Sequence, residues 1–337
     1  MDDEAIRPLE PAPEVPIQHQ KWTMYWSSLE RYEGCPQRFL WGKGWGILDV
    51  GGGPGKRKPV PVRSSDHHRV MGVVIADVMD KLYNEQWWAK LQGSELAGKL
   101  TEEVYAQFDR QCGRTKYYLP FGSFSPTGQV PSRAEVLNTC VDGVLNYLTT
   151  MRANKLVGEF AQAEVNLLGY VNSDNPVGGR CDLLIRRADT GVTILDGKNS
   201  MSKGKYTDPD QLRWYALCFY IVYGRLPDRL GFIYYRYPHD PETGEQGVEW
   251  VEFDAEDVRG LAVRAVEARR GMYNHAFEPT PDPPSCKFCD YESICEARQQ
   301  QRAKNAKRRK RKDGELKKDL AAGVPIEGTS LSELDFG

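Results

Sequence analysis

Apolar side chains recur every three to four positions over residues 69–92 and again over 132–155, the period of a helix with one buried face. Trp22 to Leu40 has the same character, with Ser27 or Ser28 suited to cap it and Cys35 near its end. From residue 159 the pattern changes: Glu159 to Tyr170, Gly179 to Arg187 and Val192 to Lys198 read as strands. Thr207-Asp208-Pro209 opens a helix to about Tyr223, with proline in the first turn where its missing N–H costs nothing. Leu230 to Arg236 and Val248 to Phe253 are further strands, and Asp254 to Tyr273 a further helix. Residues 42–66, rich in Gly and Pro, form a loop insertion; turn signals at Gly113 and from Pro120 to Gly128 interrupt a mainly helical part, 69–155. There is no internal repeat. The order predicts an α/β domain with a mixed central sheet flanked by helices.

Composition narrows the class. The chain has 337 residues, 40% of them hydrophobic, which is enough for a large core. Eight cysteines are too sparse for a disulfide scaffold, and the acidic, proline-rich start lacks an apolar signal segment. The most apolar run, Leu212 to Val222, contains Arg213 and falls short of the roughly 20 residues that a membrane helix needs. A cytoplasmic protein without a membrane partner is expected. Residues 1–20 read as a disordered arm, 21–299 as one domain, and 300–337 as a basic, disordered tail. The net charge of −2 hides a dense basic run, 302–312, whose Arg308, Arg309, Lys310 and Arg311 suit non-specific phosphate contact. Nothing in the pattern sets an oligomeric state.

Candidate chemistry lies in Gly179-Arg180-Cys181-Asp182 and Asp196-Gly197-Lys198. Asp196 and Lys198, two apart in a strand, share a face. A hairpin loop of Asp189-Thr190-Gly191 pairs Ala188 with Val192, so Asp182 falls opposite Lys198 and diagonal to Asp196. Two carboxylates and an ammonium on one face suit a hard cation, Mg²⁺ or Mn²⁺, with Lys198 placed to orient a water or offset phosphate charge. Gln211 and Tyr215, i and i+4 on a helix, lie ready to support that site or to touch a nucleic-acid backbone. Gly51-Gly52-Gly53-Pro54-Gly55-Lys56 is no phosphate loop, because Val50 replaces the first glycine and Arg57 the Ser or Thr.

Cys286, Cys289 and Cys295 have the spacing C-x2-C-x5-C, three corners of a metal or iron–sulfur site that Cys35 would complete. Four thiolates also suit zinc, and spacing does not separate the two. Cys112, Cys140, Cys181 and Cys218 read as core thiols.

Taken in order, these motifs resemble the RecB-like branch of the PD-(D/E)XK nucleases. They are most similar to its iron–sulfur members, the AddB-type nuclease domains and the CRISPR-associated RecB-like exonucleases, which also occur in phages. Ser27 to Phe39 is similar to the opening helix with its first cluster cysteine. Gly179 to Asp182, Asp196-Gly197-Lys198, Gln211-Leu212-Arg213-Trp214-Tyr215 and the terminal cysteines match later motifs, so the likeness spans about residues 25–296. The resemblance implies a restriction-endonuclease-like core with a helical insertion and an iron–sulfur staple. It implies Mg²⁺- or Mn²⁺-dependent hydrolysis of DNA phosphodiesters, by an exonuclease acting on ends or single strands in recombination, repair or replication. Asp182 and Asp196 would hold the metal, with Glu164 a further candidate, and Lys198, Gln211 and Tyr215 would complete the catalytic set. Arg180, Gln211, Tyr215 and the basic tail would meet DNA. The favoured cysteine-site cofactor is [4Fe–4S], with zinc the alternative, and a recombination or replication protein is the partner implied. The location implied is the host cytoplasm if phage-encoded. One position departs: Ala76 stands where the family carries a metal-binding histidine, and Asp77, Glu164, His67 and His68 are the candidates to replace it. That departure leaves two rival readings, a DNA-end-binding adaptor of weak or no activity and a zinc-stapled interaction module.

Overall fold

The computed structural model describes residues 23–42, 67–113, 124–125, 128–129, 131–158, 160–204, 207–237, 247–282, 286 and 289–321. The expected arm 1–20 and residues 43–66 of the expected insertion lie outside them. The chain divides into two compact units. One holds Met1–Glu30, Gly46–Asp49 and Val62–Ala276; the other holds Arg31–Trp45, Val50–Pro61 and Phe277–Gly337. The second unit draws its segments from both sides of Val62–Ala276 in sequence.

The first unit is a six-stranded mixed sheet. Its strands are β1 (Met24–Tyr25), β4 (Phe160–Tyr170), β5 (Pro176–Arg187), β6 (Gly191–Lys198), β7 (Arg229–Tyr234) and β8 (Val248–Val251). Two short strands, β2 (Phe124–Ser125) and β3 (Gly128–Gln129), form a separate ribbon. β4 pairs antiparallel along nearly the whole of one edge of β5. The other edge is shared: β6 takes Leu183 to Arg187, and β1 takes Val177 and Gly178. β5 therefore changes partner between Gly178 and Leu183, and Asp182 lies in that interval. β7 is parallel to β6, a pairing that requires a crossover helix, and β8 closes the sheet antiparallel.

Helices cover both faces. α3 (His67–Asn84), α5 (Gly93–Gly113) and α6 (Arg133–Ala153) share a core with Ala161, Ala163, Leu183, Ile185 and Leu195. Tyr83 and Tyr147 meet hydroxyl to hydroxyl at 2.5 Å inside it, and Tyr83 also donates to the Leu156 carbonyl at 3.2 Å. The crossover α7 (Pro209–Tyr223) and then α8 (Ala255–Tyr273) cover the other face. Capping sets these ends: Ser132–Glu135 and Asp254–Asp257 form capping boxes, Asp208 caps α7, and Gly224 ends it in the left-handed region.

Two expectations are corrected here. The pattern over 69–92 is two helices, because Gln86 adopts φ 59° between α3 and the single turn α4 (Trp87–Lys90). A third long helix, α5, lies in the mainly helical part between the two expected helices, where no separate helix is expected. Leu96, Leu100, Val104 and Phe108 give it a buried stripe, but Glu103, Gln107 and Gln111 lie buried on the same side and blur the period. These polar side chains find partners inside the protein: Lys81 reaches Glu103 at 2.8 Å, Gln107 donates to it at 2.6 Å, and Gln111 donates to Asp77 at 2.9 Å.

The hairpin register also differs. Arg187, not Ala188, pairs across the turn, and its partner is Gly191, so the loop is Ala188-Asp189-Thr190. Continued to the strand's end, this register sets Asp182 opposite Asp196 rather than Lys198. The parity is unchanged, which is why the same side chains still meet.

In the second unit, the last turn of α1 (Trp26–Gly34) leads through Cys35 into α2 (Pro36–Gly42). The expected continuous helix breaks there because a residue before proline disfavours helical backbone. Tyr32 packs edge-on against Phe39 and Phe277, and Trp41 against Tyr291. Thr280 donates to the Gly34 carbonyl at 2.8 Å, and Tyr291 to that of Trp41 at 3.2 Å. A short 3₁₀ turn, Glu292–Ile294, precedes α9 (Glu296–Ala321). Residues 300–321 are thus helical where disorder was expected; their Ala, Gln, Arg, Lys and Glu content favours helix despite the charge.

Gly191 offers a test of the register. It sits at φ +67°, and a Cβ there would fall 2.1 Å from Asp228 Oδ2, which accepts the Val192 N–H at 2.7 Å. Gly191→Ala is expected to destabilise the protein by roughly 1–3 kcal/mol in urea unfolding. An unchanged midpoint would contradict the turn geometry.

Candidate active site

Asp196, two residues before the end of its strand, is almost fully buried, at 4% exposure, and such a carboxylate must be compensated. Lys198 Nζ pairs with its Oδ2 at 2.6 Å, while the Gln211 amide and the Tyr215 hydroxyl donate to its Oδ1 at 2.7 and 3.4 Å. Gln211 then closes a ring, accepting from Lys198 at 2.8 Å and donating to Tyr215 at 3.2 Å. Its amide has one satisfying orientation, oxygen to the ammonium and nitrogen to the carboxylate. Gln211 and Tyr215 project together because they are one turn apart on α7, whose start Asp208 fixes.

Asp182 faces this ring across the open end of the β5–β6 pair, its Oδ2 accepting the Gly197 N–H at 2.8 Å. That approach needs glycine: a Cβ on residue 197 would fall 1.7 Å from the buried Tyr235 hydroxyl. The side-chain alternation of β5 changes phase here. Leu183 and Ile185 belong to the core under α3, α5 and α6, whereas Gly179 lies against Tyr215 and Cys218 of α7. All three positions are odd-numbered, so the strand turns over near Asp182. Across from it, Glu164 has φ 54°, and the Glu164–Asp182 pair is missing from an otherwise continuous ladder. A left-handed glutamate at the centre of a strand is backbone strain stored where two strands present carboxylates.

Electrostatics point the same way. Burial, then the Asp196 charge, push the Asp182 carboxyl up to about 8. Burial also raises that of Asp196, against the pull of Lys198. Burial and the two carboxylates raise the Tyr215 phenol, which keeps it a donor. Glu164 is raised by burial and by Asp80 and Asp77, although Arg180 pairs with it at 2.5 Å. Asp77 and Asp80, one turn apart on α3, thus add negative charge around Glu164. Asp80 is not among the residues that the sequence motifs single out; its i, i+3 spacing from Asp77 is the available signal.

The remaining candidates are placed as follows. Ala76 is half-buried on α3. His67 and His68 open that helix, His67 buried and His68 exposed, and Asn199, next to Lys198, donates to the His68 carbonyl at 2.8 Å. Arg180, expected to face DNA, is largely exposed but already ion-paired with Glu164. Arg308 and Lys310 are exposed on α9; the side chains of Arg309 and Arg311 lie outside the described residues. Cys112, Cys140, Cys181 and Cys218 are half-buried or buried, in keeping with core thiols.

In the second unit, burial raises the Cys289 thiol, and Cys286 and Cys35 lie close enough to add to the shift. The Cys295 thiol donates to Gln37, two residues past Cys35, at 3.8 Å. All eight cysteines are free. Among the described residues no three His, Cys, Asp or Glu side chains stand in ligating positions, so neither set of donors is drawn in around an ion. Both sets fit by chemistry: four free thiols in one unit suit a cluster or zinc, and a buried and a half-buried carboxylate side by side suit a divalent cation.

Two oxygen-donor carboxylates on diverging strands, with an ammonium beside one of them, are the equipment of a metal-dependent phosphodiester hydrolase. The family described as the PD-(D/E)XK nuclease superfamily matches residues 26–296, and the chain belongs to it. Members of this superfamily are metal-dependent nucleases, and the mixed sheet flanked by helices is consistent with its restriction-endonuclease-like fold. No curated protein matches the chain in sequence. A solved structure titled "Crystal structure of SSO0001" is similar at 18% identity and a TM-score of 0.29, covering 49% of this chain and 78% of that one.

The carboxylate pair makes stability depend on pH. Both groups have folded values above their unfolded ones, so their contribution is complete at acid pH and is lost as pH rises through the folded values. With a chelator present, the Asp182 contribution is expected to fall between about pH 4 and pH 8, by at most about 1.4 kcal/mol per pH unit, and Asp196 adds a loss in the same direction. Urea unfolding of wild type and Asp182→Asn measures it; an Asn variant with the same slope as wild type would refute the assignment.

Proposed function

We propose that this nuclease is a Mg²⁺- or Mn²⁺-dependent exonuclease acting on DNA ends or single strands. The observation that carries the reading is the closed ring tying Lys198, Gln211 and Tyr215 to Asp196, with Asp182 facing it. Asp182 and Asp196 would hold the cation, with Glu164 beside them. When bound, it supplies Lewis acidity at the phosphate. Lys198 brings the positive charge of that ring. Its N–H groups can hold the attacking water and offset charge growing on the phosphate. Gln211 fixes where that ammonium sits, and Tyr215 keeps the inner oxygen of Asp196 supplied with a proton donor. Arg180 and the cations of α9, Arg308 to Arg311, would add salt-sensitive contact to DNA.

The four cysteines are read as ligands of a [4Fe–4S] cluster of structural use, with zinc the competing metal. The reading places the enzyme in a cytoplasm, that of a host if phage-encoded, working with a recombination or replication partner. One observation favours a second reading, a DNA-end-binding adaptor: Ala76 occupies the place of the family's metal-binding histidine.

Digestion of end-labelled single- and double-stranded DNA with Mn²⁺ separates the two. Wild type is expected to release nucleotides progressively from one end, and Lys198→Ala to slow this roughly 10²- to 10³-fold. Metal-dependent cleavage that survives Lys198→Ala undiminished would remove the site assignment; salt-sensitive binding without cleavage would establish the adaptor.

For the cysteines, anaerobically purified protein is expected to show a broad absorption band near about 400 nm that is lost in Cys289→Ser. A colourless protein containing one zinc would overturn the cluster.

A further inference from the structure

The second unit contains a cavity of about 380 Å³ whose lining includes none of the four cysteines, although Gln37, which accepts from the Cys295 thiol, forms part of it. Its walls include Trp41, Pro279 and Ile294, which are apolar, and Gln37, Glu296 and Gln300, which are polar. Trp41 packs edge-on with Tyr291 at a ring separation of 5.5 Å, which holds the indole of that wall in place. Ile294, 40% exposed, forms part of the rim. Glu296 has no ion pair and the Gln300 amide no side-chain hydrogen bond among the described residues. A flat aromatic wall, an apolar rim, and amide and carboxylate groups with bonding capacity to spare match a planar heterocycle carrying N–H and C=O groups on its edge.

The helix forming one wall indicates what such a ring would be attached to. Glu296, Ala297 and Gln300 line the cavity from the start of α9. The same helical face continues one and two turns on as Lys304, Lys307 and Arg308. These three are exposed and have no acidic partner among the described residues, whereas Arg302, off that face, is paired with Glu292 at 2.8 Å. One helical turn, about 5.4 Å, is comparable to the spacing of successive phosphates along a nucleic-acid strand.

We propose that this cavity captures one base of single-stranded DNA, with the phosphates beyond it led along Lys304, Lys307 and Arg308. The acidic Glu296 is no obstacle, since it lies at the base edge, where an exocyclic amino group can donate to it, and not in the phosphate track. The proposal deepens the nuclease reading and rests on it for the identity of the ligand.

The test measures fluorescence anisotropy of a labelled deoxyoligonucleotide and of an abasic strand of equal length. The full chain is used, in EDTA, across a salt series. Wild type is expected to prefer the base-bearing strand roughly ten-fold. Trp41→Ala and Ile294→Arg are expected to abolish that preference; the second replaces an exposed side chain, so it keeps the test valid if the first fails to fold. Lys304→Glu/Lys307→Glu/Arg308→Glu is expected to weaken both strands and to flatten the salt dependence by about two charges' worth of slope. Equal affinity of wild type for the two strands, or a folded Ile294→Arg that keeps the preference, would overturn the pocket. Because EDTA removes cleavage from the measurement, an active nuclease without base preference sinks only this proposal. A protein that prefers bases yet never cleaves sinks only the nuclease reading.

Discussion

A buried carboxylate, Asp196, and a half-buried one, Asp182, that repel one another are the constraint around which the sheet unit is arranged. Burial pushes both carboxyl groups toward the neutral form, and at Asp182 the Asp196 charge adds to it. Keeping such groups is costly unless their oxygens are bonded, and nearly every local feature answers that requirement. Lys198, Gln211 and Tyr215 serve one carboxylate and the Gly197 backbone serves the other. The lack of a side chain at Gly197 lets Tyr235 close over the strand. The arrangement still carries more negative charge than Lys198 can balance. A divalent cation, as proposed for this site, would correct that excess.

The sheet's topology creates the opening in which this happens. Where β5 is released by β6 and taken up by β1, the backbone is free to turn over, and Asp182 leaves the alternation of its neighbours. Glu164 takes a left-handed conformation directly across from it. On one side the crossover α7 delivers Gln211 and Tyr215. On the other, α3 delivers the charge of Asp77 and Asp80, with Asp77 anchored by Gln111 from α5. Fold and site are therefore not separable here: the parallel β6–β7 pair requires a crossover, and that crossover carries half of the ring.

Much of this was legible in the chain. The apolar period placed α6, the Thr207-Asp208-Pro209 start placed α7, and the expected α8 lies close to its observed bounds; Ser132, Asp208 and Asp254 fix those starts locally. The face shared by Asp196 and Lys198 followed from strand geometry alone, and the convergence on Asp182 survived a misplaced hairpin pair because the error preserved parity. What stayed hidden was set by distant contacts. α5 buries Glu103, Gln107 and Gln111, and Gln111 meets Asp77 from another helix, so its polar positions read as solvent-facing. The φ of Glu164 has no local signature, since glycine or asparagine would be the residue to expect there. The break at Cys35 has one in Pro36, outweighed in the pattern by the apolar period on either side. The helical tail is the opposite case, in which charge density argued for disorder while residue-by-residue propensity argued for helix.

The second unit has a consequence in time. Its two main segments, Arg31–Trp45 and Phe277–Gly337, stand at opposite ends of the chain. A ribosome adding about 5–20 residues per second releases the first segment on the order of tens of seconds before the second. Until then Cys35, Phe39 and Trp41 lack the later neighbours that enclose them, while the sheet unit already has nearly all of its own strands. Assembly of the second unit, and loading of any metal there, therefore follows synthesis of the sheet unit. A chain truncated near its end would carry a finished sheet and an orphaned early segment, its apolar rings and thiol left for chaperones or oxidants to find.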